Sequence, residues 1–286
     1  MANLKEIRNR ISSVSSTMQI TSAMKMVSAA KLKKAQDAIT AMRPYANKLT
    51  ELLQSLSATL DADSGSVFST QRDVKNVLIV PITSNRGLCG AFNSNIIKQT
   101  QHLIDNVYAG KNVQVVAIGK KTNDAFAKKN IVIANKSEVF DDLTFDNVSE
   151  IAQLLMDKFV AGDFDKIEVV YNKFKNAATQ EVITEQFLPI VQVEADANVN
   201  LDYIFEPTKV EIVEQLIPKS LKTQLYKAIR DSFASEHGAR MTAMHKATDN
   251  ATELRDQLKL TYNKARQAAI TNEILEIVGG AEALNN

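Results

Sequence analysis

Both ends of the chain carry long helical patterns, and a helix of such length cannot bury its apolar seam against one small domain. Over the first 60 residues Leu4, Ile7, Ile11, Val14 and Met18 recur at steps of three and four. Leu32, Ala35, Ile39, Met42, Ala46, Leu49, Leu53, Leu56 and Leu60 resume in the same register, after Thr21, Lys25 and Ser28 at the intervening seam positions. One helix of about 57 residues fits all of these, and at 1.5 Å per residue it would span roughly 85 Å. Its seam must face another long helix or the inside of a partner.

A second long helix is expected from near Lys219, after Pro218, almost to the last residue. Met244, Ala247, Ala251, Leu254, Leu258, Ala265 and Ala268 form one stripe, and Ile270, Ile274, Ile277, Ala281 and Leu284 a second. Helices joined to the same domain at adjoining ends must run antiparallel, and alanines on the seam let their backbones approach closely. The last stretch outruns the first helix. From Ala268 onward its only charges are Glu273, Glu276 and Glu282, so its apolar tip requires a sleeve.

Between the helices the period changes. The DADSGS breaker after Leu60, then Pro207 and Pro218, divide the chain into 1–60, 61–218 and 219–286. Val77–Ile82, Val113–Ile118, Ile131–Ala134 and Ile167–Tyr171 read as strands, and Glu181–Pro189 as a strand returning after the NKFKNAAT turn. Helices over Ala91–Val107 and near Val148–Val160 alternate with them, the first with Ile96, Ile97, Leu103, Ile104 and Val107 on its apolar face. This alternation predicts an α/β fold: a mostly parallel, Rossmann-like sheet carried by an antiparallel coiled coil.

Charge is distributed unevenly. Residues 1–60 hold nine basic against three acidic side chains, a net of +6, which leaves −5 for the rest of a chain whose total is +1. A solvated helix face accounts for such an excess, as does an acidic protein surface alongside it. Nucleic acid fits less well, because the cations have no interleaved aromatics and no reader motif. No apolar run reaches bilayer length, and the N-terminus has no apolar core of a signal or transit peptide. The single cysteine, Cys89, excludes an internal disulfide.

The most chemically suggestive segment is Ser84-Asn85-Arg86-Gly87-Leu88-Cys89-Gly90-Ala91-Phe92-Asn93, a turn from the first strand into a helix, where α/β folds bind phosphate. Only Gly87-x-x-Gly90 is present, which completes neither a dinucleotide fingerprint nor a P-loop. Tight strand-to-helix packing with Cys89 as a small buried hydrophobe is the simpler reading. His102, His237 and His245 have no metal-ligand spacing, and His237 and His245 are expected on the helix surface. Neither a catalytic residue nor a metal or cofactor site is expected.

Several motifs follow in order: Ile7-Arg8-x-x-Ile11-x-Ser13-Val14, Met24-Lys25-Met26-Val27-Ser28-Ala29-Ala30-Lys31-Leu32, the SNRGLCGAFN turn, Ser235-Glu236-His237, Arg240-Met241-x-Ala243-Met244, Ala247-Thr248-Asp249-Asn250-Ala251 and YNKARQAAITNEILEIVGGAEAL. Together, over the entire chain, they resemble the gamma subunit family of F-type ATP synthases. Asn85 stands where the family commonly has aspartate, and Gly238 where alanine is common, which would soften the helix locally. The cysteine insert of chloroplast members is missing.

The resemblance implies a non-catalytic rotor shaft. Its coil would stand inside a hexamer of alpha and beta subunits, with the domain against the epsilon subunit and the c-subunit ring, peripheral to the cytoplasmic side of a bacterial inner membrane. Arg266 and Gln267 match positions that meet a beta-subunit catch loop, Met24 and Lys25 the stretch facing an acidic beta loop, and Tyr203 and Glu206 positions against the c ring. Two rivals remain on the residues alone: a nucleotide-binding α/β enzyme with coiled-coil arms, using Arg86 and the Gly87–Gly90 turn, and a static coiled-coil scaffold.

Overall fold

The computed structural model describes residues 4–57, 67–190 and 209–284. Five helices of four residues or more in α geometry are described, α1 (Leu4–Ser57), α2 (Phe92–His102), α3 (Lys120–Phe126), α4 (Phe145–Val160) and α5 (Lys209–Leu284), with strands β1 (Asn76–Pro81), β2 (Asn112–Ala117), β3 (Val132–Asn135), β4 (Lys166–Phe174) and β5 (Gln180–Leu188). Two compact units can be separated, Ala29–Arg240 and the pair of segments Met1–Ser28 and Met241–Asn286.

In the larger unit the sheet order is β3-β2-β1-β4-β5, with β5 antiparallel to β4 and the other neighbours parallel. Val77, Leu78, Ile79 and Val80 of β1 are fully buried, as a central strand covered on both faces requires. Alternation divides them. Leu78 and Val80 join Val148, Leu155 and Phe159 of α4 and Leu221, Leu225 and Ile229 of α5, while Val77 and Ile79 join Ile96 of α2 on the opposite face. Thr144 caps α4 by accepting the Asn147 N–H at 3.3 Å.

Three details depart from the sequence reading. Pro218 lies within α5, which begins at Lys209 instead of near Lys219. Its ring forfeits one backbone bond, but Ile217 and Leu221 on either side are 7% and 2% exposed, and that burial holds the helix together across it. After His102 the chain turns π-helical over Leu103–Val107, rotating Val107 out of the apolar face to 54% exposure. Helix α3 has seven residues, too few to show a period, and buries only Thr122 and Phe126.

Gly119 precedes α3 at φ +106°, and a Cβ there would lie 2.1 Å from the Thr83 carbonyl oxygen, so only glycine fits. Thr83 Oγ1 accepts the Thr122 N–H at 2.9 Å, tying the end of β1 to α3.

In the smaller unit the contacts fix an antiparallel register. Thr248 Oγ1 donates to Thr21 Oγ1 at 2.9 Å, Thr252 Oγ1 and Arg255 Nη1 reach Met18 Sδ at 3.3 and 3.4 Å, and Arg8 Nη2 donates to the Tyr262 hydroxyl at 2.8 Å. Residue numbers rise on α5 as those of their partners fall on α1. From Met244 onward the inward positions are Met244, Ala247, Thr248, Ala251, Thr252, Arg255, Leu258, Tyr262, Ala265 and Ala269. Leu254, expected on the seam, is 45% exposed, and Ala268 is exposed as well. The expected Met244, Ala247, Ala251, Leu258 and Ala265 do lie inward; only at Leu254 and Ala268 does the seam pass one residue later, through Arg255 and Ala269, and it also takes in the amphipathic Thr248, Thr252 and Tyr262, which apolar periodicity passes over.

Candidate functional site

In a sheet of this order the connection reverses between β1 and β4, and the crevice beyond their C-terminal ends is where doubly wound folds bind ligands. Here the crevice is filled by the protein's own helix. Ser235 Oγ of α5 donates to the Asn172 carbonyl at 2.9 Å, and Asn172 Nδ2 donates to the Phe92 carbonyl at 3.3 Å. Arg240 donates to the carbonyls of Arg86 and Gly87 at 3.3 Å and pairs with Glu236 at 2.6 Å. Ser235, Glu236, His237 and Arg240 are all buried.

The turn beneath is internally bonded. Ser84 Oγ donates to the Arg86 carbonyl at 2.5 Å, and Asn93 Oδ1 accepts the Ser84 N–H at 2.9 Å. Cys89 is 1% exposed, and burial raises its thiol pKa, so it packs as a small hydrophobe and is a poor nucleophile. Leu88 is held at φ +63° with 64% of its surface exposed. Asn85 uses both ends of its amide, donating to the Ser137 carbonyl at 2.9 Å and accepting the Lys120 N–H at 3.0 Å. An aspartate could make only the second bond.

His237 is not on the surface as expected. It is 5% exposed, meets the Phe233 ring edge to face at 4.5 Å, and has no hydrogen-bond partner at Nε2. Burial, then the charges of Arg240 and Lys31, lower its pKa to about 4, so it is neutral. Burial raises the Glu236 carboxyl pKa despite the opposing charge of Arg240. Gly238 also has a packing role: a Cβ there would lie 3.0 Å from the Ala177 carbonyl oxygen.

Of the residues singled out as partner contacts, Met24 and Lys25 are half-buried on α1, and Arg266 and Gln267 are exposed on α5. The antiparallel register holds these pairs roughly 20 residues apart along the coil, about 30 Å. Tyr203 and Glu206 lie outside the described residues. Beyond the reach of α1, Ile274, Leu275, Ile277 and Val278 are more than half exposed at 54%, 62%, 71% and 55%; Leu284 lies among side chains outside the description. Among the described residues no group of His, Cys, Asp and Glu could hold a metal ion.

The ATP synthase family model matches residues 3–284. The ATP synthase gamma chain of Flavobacterium psychrophilum is 77% identical over 285 residues, covering 99% of each chain, and that of Flavobacterium johnsoniae is 73% identical over the full length of both. The chain belongs to the ATP synthase gamma family. A chain in the Euglena gracilis mitochondrial ATP synthase structure of OSCP, F1 and c ring has the same fold, with a TM-score of 0.69 at 22% identity over 98% of this chain and 94% of that one. Gamma subunits are non-catalytic, which agrees with a crevice closed by Ser235, Glu236 and Arg240. Sequence motifs included these residues but carried no sign that they fill the switch point, because their partners lie 63 and 154 positions away.

Proposed function

We propose that the chain is the central shaft of a rotary F-type ATP synthase, turned by a proton-driven c ring and forcing catalytic beta subunits through their nucleotide states. The tip of α5 carries this reading: a single helix with exposed isoleucines and no partner from α1 needs an enclosing sleeve, which a hexamer of alpha and beta subunits supplies. The filled crevice favours the shaft over the nucleotide-binding reading. Segments 1–60 and 219–286 form the shaft in this proposal, and 61–218 the part that meets epsilon and the c ring. Arg266 and Gln267 would meet a beta catch loop, Met24 and Lys25 an acidic beta loop, and Tyr203 and Glu206 the c ring.

The complex is membrane-associated, and no helix among the described residues is long and apolar enough to cross a membrane. We place the chain at the cytoplasmic side of a bacterial plasma membrane, held through its partners. Reversing Lys31, Lys33 and Lys34 together to glutamate tests the shaft. Like-charge repulsion at each passage of an acidic loop lowers protons pumped per ATP hydrolysed in membrane vesicles, with assembled complex retained. Unchanged coupling in fully assembled complex would show that these lysines form only a solvated face. Failure of the native chain to copurify with alpha and beta subunits would end the rotor reading.

A further inference from the structure

The coil carries a concentrated charge that the six expected contact residues do not explain. Residues 4–12 of α1 and 257–272 of α5 hold Lys5, Arg8, Arg10, Lys259, Lys264 and Arg266 against the single carboxylate Glu6, a net of +5 in a chain whose total is +1. All six cations are exposed. The Arg8 to Tyr262 hydrogen bond puts the two stretches at the same level of the coil. Eight residues of α5 rise roughly 12 Å, about one and a half Debye lengths at physiological salt, so the six cations share one level of the coil while each acts mainly on the surface it faces.

Their directions differ. At about 100° per residue, Arg8 and Arg10 fall on opposite flanks of the Ile7 and Ile11 seam, while Lys264 points away from the flank that carries Lys259 and Arg266. We propose that these residues form a basic collar that meets a ring of carboxylates on the inner wall of the protein sleeve around the coil. The inference rests on the shaft reading, and of the six only Arg266 belongs to the contacts that reading expects.

Two observations favour an encircling acidic protein over nucleic acid or free anions. Cations on both flanks of both helices cannot be satisfied from one side. The unpartnered apolar stretch Ile274–Val278 follows the collar directly on α5, so one protein sleeve can cover both, whereas a polyanion would leave the apolar tip in water. Charge spread around the axis also depends weakly on angle. It centres the shaft without favouring one of several equivalent stops.

The test compares the assembled native complex with one carrying Arg10→Gln, Lys259→Gln and Lys264→Gln together, leaving Arg8 and Arg266 in place. Release of the chain from the complex is followed at about 0.1 M and about 1 M salt, where the Debye length falls from roughly 10 to 3 Å. At low salt the triple variant should release about tenfold faster, as the loss of three exposed ion pairs implies. At high salt the two rates should converge. The charge-keeping set Arg10→Lys, Lys259→Arg and Lys264→Arg should behave as native, which separates charge from packing. Equal release at low salt, or a slow native release abolished by nuclease, would overturn the collar while leaving the shaft intact. Failure of the native chain to assemble would overturn both.

Discussion

Replacing Arg240 by leucine removes the counter-charge of Glu236, whose side chain is 11% exposed and 2.6 Å from the guanidinium. The Arg86 carbonyl keeps Ser84 Oγ as a donor, and Gly87 is exposed to water, so neither adds much to the cost. Glu236 decides the outcome. An unpaired buried charge costs about 3–5 kcal/mol, but protonation offers an escape. Holding a carboxyl with an ordinary pKa of 4.5 neutral at pH 7 costs 2.5 pH units, about 3.4 kcal/mol, and at pH 5 only about 0.7 kcal/mol.

Arg240→Leu should therefore lose about 3 kcal/mol at pH 7 and about 1 kcal/mol at pH 5. Adding Glu236→Leu should restore at least about 2 kcal/mol at pH 7, because a buried pair is broken more harmfully than it is replaced. Urea titration of the full chain, followed by tyrosine fluorescence in a protein with six tyrosines and no tryptophan, measures each value. Additive single costs, or an Arg240→Leu penalty that does not change between pH 7 and 5, would refute the assignment of the cost to Glu236.

Gly119→Ala should lose about 3 kcal/mol or more in the same titration, from strain at φ +106° and a Cβ 2.1 Å from the Thr83 oxygen, whereas Gly87→Ala, with nothing within 4 Å, should change it by less than about 0.5 kcal/mol. His237 has its pKa lowered to about 4 in the folded chain, so between pH 6.5 and 4 the unfolded chain binds the extra proton and stability falls as pH falls. In His237→Phe the thermal midpoint should decline less between pH 7 and 5 than in the native chain, and equal declines would assign the acid sensitivity to other groups. Removing residues 268–286 should raise the soluble fraction of the isolated chain after centrifugation by eliminating Ile270, Ile274, Leu275, Ile277 and Val278 from its surface, and equal aggregation of both forms would contradict the exposed-tip argument.

Local pattern alone determined the two terminal helices and the five strands, because each is written in neighbouring residues at periods of 2 or near 3.6; the shaft reading came from resemblance to a family, motif by motif. Tertiary structure decided what periodicity cannot encode. Pro218 stays inside α5 because the core buries Ile217 and Leu221 around it, and the coil seam passes through Thr248, Arg255 and Tyr262 because α1 supplies Thr21, Met18 and Arg8 opposite them. His237 is buried because α5 lies in the crevice beyond β1 and β4, a placement set by Asn172 and the Arg86–Gly87 carbonyls. A helix's own sequence records which side chains are apolar. Which face is buried depends on the surface that another part of the chain presents to it.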